Sequence, residues 1–134
     1  MPSLKIVFDT NVLISAFVFE GRSAKVIEYC IANTEVFISG WILAELKEKL
    51  ATKFKLTAHQ IKAIEELLLS EFTVHAPATK LPKVCRDADD NNILQLAESI
   101  KANYIITGDT DLLTLKKFRS SQIVSPAKFL EELR

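Results

Sequence analysis

A chain of 134 residues is one domain by length and can bury roughly two-thirds of its unfolded surface in a single core. Its 49% hydrophobic and 25% charged residues exclude a disordered or fibrous chain, and 17 Lys and Arg against 17 Asp and Glu exclude nucleic-acid binding through a globally basic surface. Two cysteines, Cys30 and Cys85, are too few for a disulfide framework or a thiolate zinc site. No run approaches the ~18 to 20 apolar residues of a membrane span, so a reducing, cytoplasmic setting is expected.

Strand and helix signals alternate along the chain. Residues 4–8 form an apolar run that stops at Asp9, and a helical pattern starts at Asn11, with a break at Glu20 and Gly21 before a second helix over 23–33. Residues 35–39 read as a strand and 41–53 as a third helix; Thr57 and Gln60 form a capping box that opens a fourth helix running to about Glu71. A third strand is expected over 72–75. Residues 76–82 read as a Pro-containing loop inside one domain spanning 1–134. A helix over 87–102, a strand over 104–107, a short helix over 109–117 and a strand over 122–124 follow. Ser125 as N-cap with Pro126 behind it opens the last helix. This alternation predicts a three-layer α/β/α domain around a mostly parallel sheet.

In an open parallel sheet, ligands bind beyond the carboxyl ends of the strands. Asp9 and Asp109 both stand at such exits, although either could simply cap the helix that follows. Asp90 shares the apolar stripe of Ile93, Leu94, Ala97 and Ile100 and should face the sheet. Asp87 and Asp89 fall toward the flanks, with Asp87 a candidate N-cap, and Asn91 and Asn92 should point away. Glu45 lies at the border of the stripe Ile42, Leu43, Leu46 and Leu50, where an i,i+4 pair with Lys49 would also explain it. If Asp9, Glu45, Asp90, Asp109 and Asp111 converge, their mutual repulsion calls for a hard divalent cation. Metal-dependent phosphoryl transfer is the chemistry expected of such a site.

Taken together, Asp9, Thr10 and Asn11 at the first strand exit, Glu45 on the helix after the second strand, Asp87 through Asn91 followed by Ile93, Leu94 and Ala97, and Tyr104 through Asp109 form a pattern that resembles the PIN domain family. The resemblance runs from Ile6 to about Leu130 and is similar in particular to the branch holding toxin components of toxin-antitoxin pairs. It implies the strand order 3-2-1-4-5 and a Mg²⁺- or Mn²⁺-dependent endoribonuclease that hydrolyses phosphodiester bonds of single-stranded RNA. Asp9, Glu45, Asp90 and Asp109 match the family's acidic quartet, with Asp111 a further metal ligand and Asn11 and Thr107 accessory polar positions. It also implies a cognate antitoxin and a homodimer or higher oligomer, for which the apolar-rich fourth helix (Ile61, Ile64, Leu67, Leu68, Leu69) is the expected surface.

RNA approaching an acidic site needs a positive rim. The candidates are Lys47, Lys49, Lys53 and Lys55, then Lys80, Lys83 and Arg86, then Lys116, Lys117 and Arg119, with Phe54 and Phe118 able to stack on bases. Arg86, Lys116, Lys117 and Arg119 are the foremost of these. His59 and His75 read as surface or structural residues. Two other readings stay open: a non-catalytic PIN-fold module binding RNA or protein, and a phosphatase using an aspartyl nucleophile. The latter is disfavoured because Asn11 stands where a second Asp would be needed.

Overall fold

The computed structural model describes residues 3–19 and 21–133. Strand β1 (Lys5–Phe8) leads into helices α1 (Thr10–Val18) and α2 (Arg22–Asn33). Of the expected break, Glu20 lies outside the described residues, while Gly21 takes φ +142°, a conformation that L side chains rarely adopt. Then come β2 (Glu35–Ile38), α3 (Gly40–Thr52), α4 (Ala58–Glu71) and β3 (Thr73–Val74). Beyond a loop follow α5 (Ala88–Ile100), β4 (Tyr104–Ile106), α6 (Thr110–Leu115), β5 (Lys117–Phe118), β6 (Ser121–Val124) and α7 (Pro126–Glu132). The Thr57 and Gln60 capping box closes as expected, each side chain bonding the other's backbone N–H at 3.1 and 2.8 Å.

One sheet runs in the order β3-β2-β1-β4-β6-β5. At its centre β1 pairs in parallel with both β2 (Ile6 with Val36) and β4 (Ile6 with Tyr104), and β4 pairs in parallel with β6. Successive strand residues point to opposite faces, yet Ile6, Val7, Phe8, Ile105 and Ile106 are all at most 2% exposed. Both faces are therefore covered by helices, as in the expected three layers. The expected last strand is β6, so the order matches 3-2-1-4-5 with one addition.

That addition is β5, a correction to the helix expected over 109–117. The helix ends at Leu115 because Lys116 turns to φ +61°, and Phe118 then pairs antiparallel with Ser121. A two-residue hairpin usually advertises itself with Gly or Asn-Gly. Here the turn carries Arg119 at φ +54°, held by an ion pair with Glu98 and by stacking of its guanidinium 5.3 Å over the Phe118 ring. The tertiary partners of Arg119, and no local turn residue, stabilise this corner.

Helix α5 carries a second pattern besides its apolar stripe. Asn91, Gln95 and Ser99, spaced four apart, hold the preceding loop: Asn91 accepts from the Val84 and Cys85 N–H and donates to the Cys85 carbonyl, Gln95 donates to the Thr79 carbonyl, and Ser99 accepts from the Ala78 N–H. Asn91 is buried, contrary to its expected outward orientation. An amide there satisfies three backbone groups that an apolar side chain would strand. Replacing Asn91 with Ala is expected to lower the unfolding free energy by about 2 kcal/mol, read as a lower denaturant midpoint. A change below roughly 0.5 kcal/mol, within the range of ordinary surface substitutions, would show that the loop is held by other means.

Candidate metal centre and its surroundings

The centre is built at the carboxyl ends of β1 and β4. Asp9 follows β1 directly, and its N–H bonds the Ile106 carbonyl at 3.0 Å, locking the two strand exits together. Its Oδ1 accepts from the Asn11 N–H at 3.2 Å and so caps α1, while Oδ2 accepts from the Thr107 hydroxyl at 2.6 Å. Capping and a site role are thus compatible for Asp9, because they use different oxygens. Thr107, fully buried, also accepts from the Asp109 N–H at 2.9 Å, and Asp109 Oδ1 caps α6 through the Asp111 and Leu112 N–H groups. Thr107 therefore sets the spacing of two acids at once.

Asp90 comes from the first turn of α5 and is buried on the stripe shared with Ile93, Leu94 and Ala97. Asp9, Asp90 and Asp109 each offer an oxygen, and these oxygens lie within 4.8 Å of one another. At an effective dielectric near 20, two full charges so close repel by roughly 3 to 4 kcal/mol. Accordingly burial, reinforced by Asp109, Asp9, Asp87 and Asp111, pushes the Asp90 carboxyl up to about 7. Burial likewise raises Asp9, with Asp109 adding to it and the hydrogen bonds from Thr107 and Asn11 and the charge of Lys49 opposing it. Neither Asp90 Oδ2 nor Thr10 Oγ1 makes a well-formed hydrogen bond within the protein, although both are buried. A buried carboxylate oxygen without a partner, beside two further carboxylates, fits a hard cation with all-oxygen ligands.

The remaining acids are arranged differently. Glu45 does not share the close cluster of Asp9, Asp90 and Asp109. It sits half-buried on α3 with Lys49 Nζ at 3.9 Å, and burial and the adjacent Asp89 carboxyl push it up to about 7 against the pull of Thr10 and Lys49. Asp89 thus faces Glu45 instead of lying idle on a flank. Asp87 is the N-cap of α5, through the Asp89 N–H at 2.9 Å. Asp111 is exposed, lies outside the cluster, and pairs through both oxygens with Arg86 at 3.2 Å. Of the other polar candidates, Asn11 is exposed with its Oδ1 3.5 Å from Lys49 Nζ. Neither Lys116 nor Lys117 makes an ion pair among the described residues, whereas Arg86, Arg119 and Lys47 are engaged with Asp111, Glu98 and Glu65. His59 is exposed, and His75 stands half-buried edge-on to Phe37. Phe54 packs edge-on against Phe19.

Two grooves open beside the acids. One, of about 430 Å³, runs along α3 past Glu45 to Asp89; the other, of about 300 Å³, is lined by Asn11, Ser15, Ser23, Gly108 and Asp109. A separate apolar cleft of about 150 Å³ lies between α1, α2 and α4, around Phe17, Ile27, Ile31, Leu68 and Phe72. Sequence reasoning missed Asp89 as a partner of Glu45 and Trp41 as a groove wall. The spacing of an exposed aromatic one turn before Glu45 was the available signal for the second.

No helix among the described residues is long and apolar enough to cross a membrane. The uncharacterized protein MJ1680 of Methanocaldococcus jannaschii is 32% identical to this chain over 143 aligned residues, covering 96% of this chain and 91% of its own length. Among solved structures, a chain of VapBC2 from Rickettsia felis, crystallised bound to a DNA fragment from their promoter, matches with a TM-score of 0.68 over 91% of this chain and 98% of its own, at 16% identity, a likeness of fold. The family profile described as PIN domain matches residues 5–111, which contain every strand of the parallel core except β6 and all three clustered carboxylates. The chain belongs to the PIN domain family, whose members are generally nucleases.

Proposed function

We propose that this protein is a Mg²⁺- or Mn²⁺-dependent endoribonuclease of the cytoplasm that hydrolyses single-stranded RNA, and that it is the toxin of a toxin-antitoxin pair. The observation that carries the catalytic part is the buried, unpartnered Asp90 Oδ2 among the clustered oxygens of Asp9, Asp90 and Asp109. These three residues would hold the ion. A divalent ion held by them would supply polarisation of the scissile phosphate and a lowered pKa for the attacking water. Thr107 keeps Asp9 and Asp109 in register through its two hydrogen bonds. Glu45, with a proton affinity near neutrality, is the residue suited to take the proton of the attacking water. Asn11 and Asp111 stand at the edge of the cluster as accessory groups, and Lys116 and Lys117 are free to meet phosphates.

The toxin reading rests on the likeness of fold to a chain of a VapBC2 assembly crystallised with promoter DNA. By that likeness a small DNA-binding antitoxin is the expected partner. Leu68 of the expected surface is buried in the core, but Leu67 and Leu69, on its two flanks on α4, are 46% and 49% exposed, and these apolar side chains support self-association into a homodimer. Sedimentation at high micromolar concentration should then show a dimer or larger species; a monomer would remove this assignment. For the activity itself, unstructured RNA incubated with Mn²⁺ should be cut, and chelator should stop the cutting. Binding without cleavage under those conditions would make the protein a non-catalytic module, and chelator-resistant cleavage would overturn the metal mechanism.

A further inference from the structure

The groove along α3 has the features of a nucleobase site. Trp41, the one tryptophan of the chain, stands in the first turn of α3 and is 38% exposed, with no aromatic neighbour stacked on it among the described residues. One turn on, Ala44 leaves an opening at i+3, and Glu48 at i+7 stands beyond it on the same face. The neighbouring row, at i+4, i+8 and i+12, is Glu45, Lys49 and Lys53. Asp89, the residue before Asp90, also lines the groove, and Glu45 meets Thr10, the residue after Asp9, so the groove reaches the border of the acidic centre. Its volume of about 430 Å³ falls within the ~300 to 1,000 Å³ typical of small-molecule sites.

The charges select the occupant. The carboxyl groups of Glu45, Glu48 and Asp89, even with a proton shared between Glu45 and Asp89, match the two ammonium groups of Lys49 and Lys53, so phosphate alone has no net attraction there. A flat ring carrying an exocyclic amino group suits both the indole face and the carboxylate acceptors, with the lysines left for the flanking phosphates. Building on the endoribonuclease reading above, we infer that this groove holds one base of the RNA strand next to the scissile phosphate, stacked on Trp41, and that it favours amino-bearing bases such as cytosine over uracil.

Because Trp41 is the sole tryptophan, its fluorescence reports on the groove directly. In Asp90→Asn protein, chosen to prevent cutting, oligocytidylate should quench Trp41 saturably and bind on the order of 10-fold more tightly than oligouridylate. Anisotropy of labelled oligocytidylate should show Trp41→Ala weakening binding by about 10-fold and Trp41→Phe retaining most of it. Unchanged affinity in Trp41→Ala, with no quenching in the parent, would overturn the base site while leaving the ribonuclease intact. Saturable quenching by RNA in a protein that never cleaves RNA would uphold the base site and remove the ribonuclease reading. An emission shift that follows protein concentration without RNA would assign Trp41 to a protein interface and sink the inference.

Discussion

Asn in place of Asp9, Asp90 or Asp109 is expected to lower RNA cleavage by on the order of 10²-fold or more, because each change removes ligand charge from the ion that stabilises the transition state. Asp90→Asn should at the same time make the metal-free protein more stable. Its carboxyl has a folded-state value near 7, well above the ordinary 3.8, so the fold binds that proton more tightly than the unfolded chain does. The favourable contribution is present when the group is protonated and is lost as pH rises from about 4 to about 7. Glu45, also raised to about 7, acts in the same direction, so Asp90→Asn should reduce the pH slope without abolishing it. Denaturant midpoints in chelator across this range measure the slope. A variant that loses activity and stability together would show that Asp90 is structural. Asp87→Asn, which keeps an N-cap acceptor for α5 and acts on the trio only through its charge near Asp90, should cost little activity. Asp89→Asn is not a neutral change, since its carboxyl faces Glu45.

The second large effect is on thermal stability. Mn²⁺ or Mg²⁺ binding only the folded protein at 100 times its Kd adds about 2.7 kcal/mol, which for a domain of this size is a melting-point rise on the order of 10 °C. Asp9→Asn, Asp90→Asn and Asp109→Asn should each lose most of that rise. Glu45→Gln should keep most of it while still slowing cleavage, because Glu45 lies outside the oxygen cluster. Scanning calorimetry or dye-monitored melting over a metal titration separates these cases. Equal shifts in the parent and all three Asp variants would rule out a shared site at these residues. A Glu45→Gln loss as deep as that of Asp90→Asn would mean that Glu45 swings into the ligand shell on binding.

The sequence by itself determined whatever depends on neighbours within about two helical turns. The strand runs ending at Asp9 and before Asp109, the Thr57 capping box, the Ser125 and Pro126 helix start and the inward phase of Asp90 are local facts, governed by backbone geometry and periodicity, and all recur in the fold. Tertiary structure alone decided which polar side chain meets which. Arg86 and Arg119, candidates for RNA by charge, are engaged with Asp111 and Glu98, 25 and 21 residues away. Asn91, outward by simple helical phase, is buried because a loop folds over α5 and offers it three backbone groups. The five acids sort into a close trio, a Glu45 paired with Asp89, and an Asp111 neutralised by arginine, since carboxyl oxygens interact strongly only over a few ångströms and sequence separation carries no record of that distance.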